Sequence, residues 1–571
     1  MPPLYRLDDF ERCLWTNKNL TVFCNVATII KPDNTSEVWN QIEAFSSRRK
    51  IHFAHDLISY GACLSECEEK LNYLSEKERE SLYVEGFPWR ENRSVKLQIR
   101  HLKSYFNFMI ILHTTHLLSK MELCTRRNMI KYSTNAKIYG CRKIITCQGI
   151  HQSIDYLHTT FIVITILILG IVSAATGLDI KQNNQNSLDY YKNDRLDLPK
   201  RQQYLLCFSL MRNWYRLTAP PKTELGRDLR FVLTIRYITT LLVVMGHMNI
   251  AYSVLPSINP EFVEKSHYRI EAIFLYSGTT IVQTFFVASG VLLYISLNEV
   301  LKERELNFRY FGIAIIYRYL RLTPPYAYIL LYHATYLYYS GYGAYWKFFG
   351  ELEYTYSFEK DYIASHTNAG NFLIGVCLAM IYIHFKEKEL DLSNSKFFKI
   401  FWHCTPLIGY LGASFIGYIF YHNDFELPSI GTSLFSVFTR QTWGLLGIIL
   451  VLGFISKFRS PIKNFCNWPV FTPLSRLSYC IYLCHLTLAR LLFGQGMYMK
   501  DLSWFLFLSE SLSLFVISNL VALILCLCLE FPMTGLSKAI FRKETTDLNK
   551  NKKRTEYAVK NIELDGINPQ N

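Results

Sequence analysis

FVLTIRYITTLLVVMGHMNIAY, residues 231–252, decides how the rest of this chain is read. It is an apolar run of the length, about 20 residues, that crosses a bilayer as a helix. Inside it stand one strongly basic side chain, Arg236, and one histidine, His247. The 11 steps between them turn a helix about three times plus 20°, so the two side chains share a face, about 16 Å apart along the axis. An ionisable group within a membrane helix is costly and normally faces a bundle interior or a wet cavity. Two readings compete at this point: a functional site, or Arg236 snorkelling to the interface while His247 makes a bundle contact.

The neighbouring apolar runs add to the first reading. VQTFFVASGVLL occupies residues 282–293, and YRYLRLTPPYAYILL occupies 317–331. Taken in order, Arg-x10-His, TFFxxSG and RYLRLTPP resemble the acyltransferase 3 family of integral membrane proteins, most nearly its animal branch, the nose resistant to fluoxetine proteins. Farther along, RQTWGLLGI (440–448), PLSRLSYCIYLCHL (473–486, ending in Tyr-Leu-x-His) and LEFPM (529–533) extend the resemblance. It covers about 205–540, with weaker similarity over about 4–150 beginning at MPPLYRLDDFERCL.

Composition agrees with a membrane protein. The 571 residues are 50% hydrophobic and 15% aromatic, yet 19% are charged, and mean hydropathy is positive. Long apolar spans separated by charged loops give that combination; a soluble globule does not. The formal charge of +15 does not point to nucleic acid, because the basic residues sit beside apolar runs, as on cytoplasmic loops facing anionic leaflets.

Residues 1–155 read as a polar, extracytoplasmic N-terminal domain. SEVWNQIEAFSS and HDLISYGACLSECEEKL show helical spacing of apolar residues. Asn19, Asn34 and Asn92 open glycosylation sequons, which are used only on the lumenal or extracellular side. Cys13, Cys24, Cys63, Cys67, Cys124, Cys141 and Cys147 lie here without zinc-finger spacing. In an oxidising compartment they allow three disulfides and one free thiol, with connectivity open. No basic and apolar leader opens the sequence, so either the first span exports the preceding domain or an upstream segment is absent here.

The remaining domains follow from charge. A first transmembrane helix at 156–178 precedes a loop, 179–229, holding Lys181, Lys192, Arg195, Lys200, Arg201, Arg212, Arg216, Lys222 and Arg227. That density places the loop in the cytoplasm and the N-terminal domain outside. Within it, LLCFSLMRNWYRL (205–217) is either the element that joins the two parts of the family proteins or an interfacial helix. Further spans fall at about 231–253, 273–297, 311–339, 371–385, 400–421, 434–456, 474–495 and 504–530 within a transmembrane domain at 230–540. Lys302/Arg304/Arg309, Lys386/Lys388 and Lys457/Arg459/Lys463 then all land inside, as does a disordered tail at 541–571. The expected fold is an all-α, polytopic bundle of about nine spans carrying the extracytoplasmic Cys-containing domain.

Acyl transfer needs a base for the acceptor hydroxyl and an anion site for the donor. His247 is the candidate base, since imidazole takes and returns a proton near neutrality, and the resemblance implies the same role. Arg236, on its face, can stabilise developing negative charge. Arg318 and Arg321, at i and i+3, suit a donor phosphate such as that of acyl-CoA, or else anchor a cytoplasmic helix end. Thr323-Pro324-Pro325 is expected to kink or reshape the helix beyond them. Ser289-Gly290 permits close helix approach, and His485 serves as a bundle hydrogen-bond partner or a supporting group. The aromatic run at 336–349 reads first as an interfacial belt.

The chain departs from the family pattern in three places. Gln283 stands where the family has Asp, so a carboxylate that would orient a histidine or arginine is missing. Asn368 and Asn371 replace an expected Arg and Pro. Between Trp346 and Tyr362 only about fifteen residues stand where the family holds an outer loop and further spans. The resemblance thus implies a membrane acyltransferase moving an acyl group from an acyl-CoA-type donor to a lipid, sterol or glycan hydroxyl, impaired in this shortened form. A non-catalytic lipid transporter or lipid-binding protein on the same scaffold is the alternative. No cofactor or metal is expected beyond acyl-CoA as co-substrate. Membrane lipids are the expected partners, in the endoplasmic reticulum or plasma membrane.

Overall fold

The computed structural model describes residues 3–16, 22–30, 35–47, 51–81, 138–149, 156–183, 190–191, 198–221, 224–269, 272, 276, 281–303, 308–337, 343–346, 365–405, 409, 412 and 430–540. Asn19, Asn34, Asn92 and the tail from 541 lie outside the described residues.

The N-terminal part departs from the all-α expectation. Strands β1 (Tyr5–Leu7), β2 (Val22–Ile30), β3 (Leu57–Cys63) and β4 (Ile138–Gly149) form one sheet in the order β1-β3-β2-β4. β1 runs parallel to β3, and the other two pairings are antiparallel. Helices α1 (Phe10–Thr16), α2 (Glu37–Ser47) and α3 (Leu64–Asn72) accompany it. SEVWNQIEAFSS folds as helix α2, burying Trp39 and Ile42. HDLISYGACLSECEEKL is only half helical, because Ile58, Tyr60 and Ala62 alternate as a strand does and are buried on one face. Cys13 and Cys63 form a disulfide that ties α1 to β3, and Cys24 and Cys67 are disulfide-bonded as well.

The rest of the described chain is helical: α4 (Tyr156–Gln182), α5 (Leu210–Thr218), α6 (Arg230–Val254), α7 (Gln283–Glu303), α8 (Phe308–Tyr332), α9 (Ser365–Glu387), α10 (Ile430–Ile455), α11 (Ser478–Gly494) and α12 (Trp504–Leu525). Among the described residues four helical stretches are long and apolar enough to cross a membrane: Tyr156–Gln182, Arg230–Val254, Ala369–Glu387 and Trp504–Ile540. The last continues α12 through a π-helical turn, Cys526–Glu530, to residue 540. Most of the span expected at 400–421 falls outside the described residues. In α4, Ile166, Leu167 and Leu169 are exposed, the surface that a lipid-facing helix presents.

α6 runs through the middle of the bundle. Val244 and Met248 pack with Cys480, Ile481 and Cys484 of α11 and with Ala522 of α12. Nearer its start, Phe231 and Val232 join Val291, Leu378 and Val451, with the Phe231 and Phe454 rings stacked 4.1 Å apart. α7 and α9 approach so closely that a Cβ on Gly290 would strike the Phe372 carbonyl, and one on Gly375 the Val287 carbonyl. In lipid, where apolar burial between helices drives little, such close contact is what holds them. Ser289 itself is exposed.

Three segments singled out in the sequence take the following form. α8 stays helical through Pro324 and Pro325, and the Tyr479 hydroxyl donates to the Leu322 carbonyl at 2.7 Å. The element at 205–217 buries one face against the bundle and leaves Trp214 exposed. Arg212 and Asn213 are buried, Arg212 pairs with Asp179 at 3.0 Å, and Arg476 donates to the carbonyls of Arg216, Leu217 and Ala219. From the aromatic run, Tyr345 is buried beneath the N-terminal sheet and Trp346 is buried against Gly494 and Arg490, rather than set in a belt.

The sheet docks on the end of the bundle where α6 finishes. Phe10, Cys13, Phe23 and Cys63 pack against Ala344, Tyr345, Leu255, Met497 and Met499. Asn25 donates to the Ala344 carbonyl at 2.8 Å. Glu264 is buried and accepts from the Phe53 N–H and from His55, each at 2.8 Å. This seam fixes which end of the bundle faces the N-terminal domain.

Candidate functional site: a histidine pair and an arginine cluster

α6 carries Arg236 and His247 to opposite halves of the bundle. His247, two turns from the sheet end, meets His485 of α11, with Nδ1 of the former 3.1 Å from Nε2 of the latter. His485 is 1% exposed, and its Nδ1 lies 3.1 Å from the Ile481 carbonyl. A carbonyl only accepts, so His485 carries its proton on Nδ1 and offers Nε2 as acceptor. His247 must then donate from Nδ1. That tautomer leaves Nε2 of His247 with a lone pair, and among the described residues no group bonds to it. The pair is therefore an oriented imidazole base backed by a second, neutral imidazole.

Arg236 does not stand beside His247. It lies within electrostatic reach of Arg321, Arg318 and Glu530, at the end of the bundle remote from the sheet. Arg321 donates through Nε and Nη2 to Oε1 of Glu530 at 3.2 and 2.8 Å. Glu530 is fully buried, and its Oε2 accepts from the Cys480 thiol at 3.3 Å. One carboxylate, bonded to Arg321, thus lies in a region that also holds the guanidinium groups of Arg236 and Arg318. Arg321 is spent on Glu530, whereas neither Arg236 nor Arg318 makes a side-chain hydrogen bond among the described residues. The excess of positive charge is what an anionic ligand would neutralise.

The two departures at Gln283 and Asn371 meet each other. The Asn371 amide donates to Oε1 of Gln283 at 2.9 Å, with both side chains 1% exposed. Beside them Thr284 donates to Thr239 of α6 at 3.3 Å. An amide pair bridging α7 and α9 thus occupies the place of the expected carboxylate, and it carries no charge. The Asn368 side chain lies outside the described residues.

Sequence reasoning missed Glu530 and the cysteines around it. LEFPM was recognised as a motif, but its glutamate received no role. The signal was present, since Glu530 is an acid at the end of the apolar stretch 511–530 and such residues mark sites by default. The pairing of His485 with His247 joins positions 238 residues apart, which no local pattern reveals. No protein-family model, no curated protein and no solved structure matches the chain.

Proposed function

We propose that this protein is a multi-pass membrane acyltransferase of the acyltransferase 3 type, in which His247 deprotonates the acceptor hydroxyl. The single observation that carries the reading is the His247–His485 pair, which leaves one imidazole nitrogen free and oriented inside an apolar bundle. The N-terminal domain faces the lumen or exterior, as the Cys13–Cys63 disulfide favours. The Arg236 end then faces the cytoplasm, and about nine spans complete the bundle.

In this arrangement Arg236 and Arg318 hold the phosphates of an acyl-CoA-type donor on the cytoplasmic side. The donor's long flexible arm covers the roughly 16 Å along α6 that separates the arginines from His247. His247 takes the proton of a lipid, sterol or glycan hydroxyl, the oxygen attacks the thioester carbonyl, and the thiolate leaves and takes up a proton. His485 keeps the attacking tautomer in place and takes over the orienting role that a carboxylate plays in many such sites.

The short stretch after Trp346 leaves little chain to wall the acceptor side, and water entering there weakens the electrostatics of transfer. Turnover by this form is accordingly expected to be low, with a longer form carrying an insert near Gly350 more active. Membranes bearing each form, given labelled acyl-CoA and a pool of lipid acceptors, test the reading. Transfer by the longer form that His247→Ala abolishes supports it. Lipid binding or movement that is indifferent to His247→Ala favours the non-catalytic lipid-binding alternative.

A further inference from the structure

A second cluster of reactive side chains lies about 8 Å along α11 from His485, five residues back. Cys480, Cys526 and Glu530 bring three ligand atoms within 4.8 Å of one another, and each residue is 0% exposed. Cys526 and Glu530 open and close the π-helical turn Cys526–Glu530, which sets them four residues apart. π-helical turns inside α-helices concentrate at functional positions. Cys480 approaches from the first turn of α11, its sulfur 3.3 Å from Oε2 of Glu530. The other carboxylate oxygen is taken by Arg321, so Oε2 is held toward the two sulfurs. Metal-binding carboxylates characteristically have such an outer partner.

We propose that Cys480, Cys526 and Glu530 form a zinc site that clamps α11 to the end of α12. Two sulfurs and one carboxylate oxygen form a donor set that zinc accepts, whereas magnesium and calcium require oxygen alone. On binding, both thiols lose their protons. The two thiolates balance the dication, so zinc leaves the net charge among Glu530, Arg321 and Arg236 as it was. Three protein ligands leave a fourth tetrahedral position for water. The site does not depend on acyl transfer: it would join the helix of His485 to the helix that anchors Arg321, whatever the bundle does. The competing account is a pair of neutral thiols, one donating to Glu530.

The test is elemental analysis of the full chain purified in detergent without chelator, with Co2+ exchange as a second readout. The expected result is about one zinc per chain, and a cobalt–thiolate charge-transfer band after exchange. Cys480→Ser/Cys526→Ser should lose both signals, while Cys484→Ser, one turn along α11, should keep them. If the double variant fails to fold, the wild-type metal content and cobalt spectrum still decide. Zinc-free protein from zinc-supplemented cells, with no cobalt band on reconstitution, would overturn the proposal. So would a metal signal that survives in a folded Cys480→Ser/Cys526→Ser protein.

Discussion

Nε2 of His485 accepts a hydrogen bond from Nδ1 of His247 at 3.1 Å. A single acceptor atom on α11 thus sets which nitrogen of the α6 histidine is free for chemistry. The replacement His485→Gln keeps a side-chain oxygen able to accept that proton, whereas His485→Leu removes it. The Gln variant should retain turnover within about tenfold of the parent and keep its pH profile, and the Leu variant should fall further, toward the roughly 10²-fold loss typical of an acid–base group. Equal activity in the two variants, measured alongside expression, would assign His485 to packing alone.

Arg236 lies with Arg318 and Arg321 at the end of the bundle proposed to bind the donor, and its kinetics should show it. Arg236→Ala and Arg318→Ala are expected to raise the donor KM with a smaller change in kcat, as loss of a binding contact does. Arg321→Ala should act differently, because it strands the buried carboxylate of Glu530. An unpaired buried acceptor costs about 1–3 kcal/mol, so the melting temperature should fall. Glu530→Gln in the same chain should recover part of the loss. A stable Arg321→Ala protein with only a raised KM would place Arg321 among the donor ligands.

The seam between the sheet and the bundle should weaken in acid. His52 lies 3.1 Å from the Tyr268 hydroxyl, His55 bonds Glu264, and His267 stacks on Tyr276. Burial holds His267 down to about 4, below its unfolded value of about 6.5. Between those values the unfolded chain binds the extra proton, so stability falls as pH falls through that window. Burial pushes the Glu264 carboxyl up, but the donors from His55 and Phe53 more than offset this and hold it below the ordinary glutamate value. Its contribution is present above the unfolded value, about 4.3, and is lost as pH drops through the folded one, adding a further decline in stronger acid. Melting temperature followed from pH 7 toward 4 should drop, and His267→Gln should flatten the upper part of the slope. An unchanged slope in that variant would remove His267 from the account.

Much of the bundle was legible in the sequence because apolar length is a local property. The runs at 156–178, 231–253 and 504–530 appear as helices with ends displaced by only a few residues, apart from the continuation of the last to residue 540. The shared face of Arg236 and His247 was also legible, but not its consequence. Helix rotation says that two side chains point the same way, and it is the neighbours, Glu530 and Arg321 at one level and His485 at another, that give each a different task. The sheet was missed because β3 lies inside a segment whose second half is a true helix, and a window spanning both averages their periods. The Gln283–Asn371 pair was read as two separate losses, since each residue alone lacks the charge expected of it.

Topology offers a check independent of chemistry. Glycosidase treatment should shift the protein if Asn19, Asn34 and Asn92 lie outside, and a cysteine introduced at Arg542 should label only after the membrane is opened from the cytoplasmic side. Unmodified sequons together with a protease-accessible N-terminal domain in the cytosol would reverse the orientation and move the arginine cluster to the wrong face for an acyl-CoA donor.

The central claim is that the free nitrogen of His247 drives acyl transfer, and its most direct measurement is single-variant turnover. Membranes carrying the protein, in its longer form where this one is too slow to measure, are supplied with labelled acyl-CoA and a pool of hydroxyl-bearing lipids. The account predicts labelled acyl ester whose rate of formation drops by roughly 10²-fold or more in His247→Ala, with expression and melting temperature unchanged. Undiminished ester formation by a folded His247→Ala protein would contradict it.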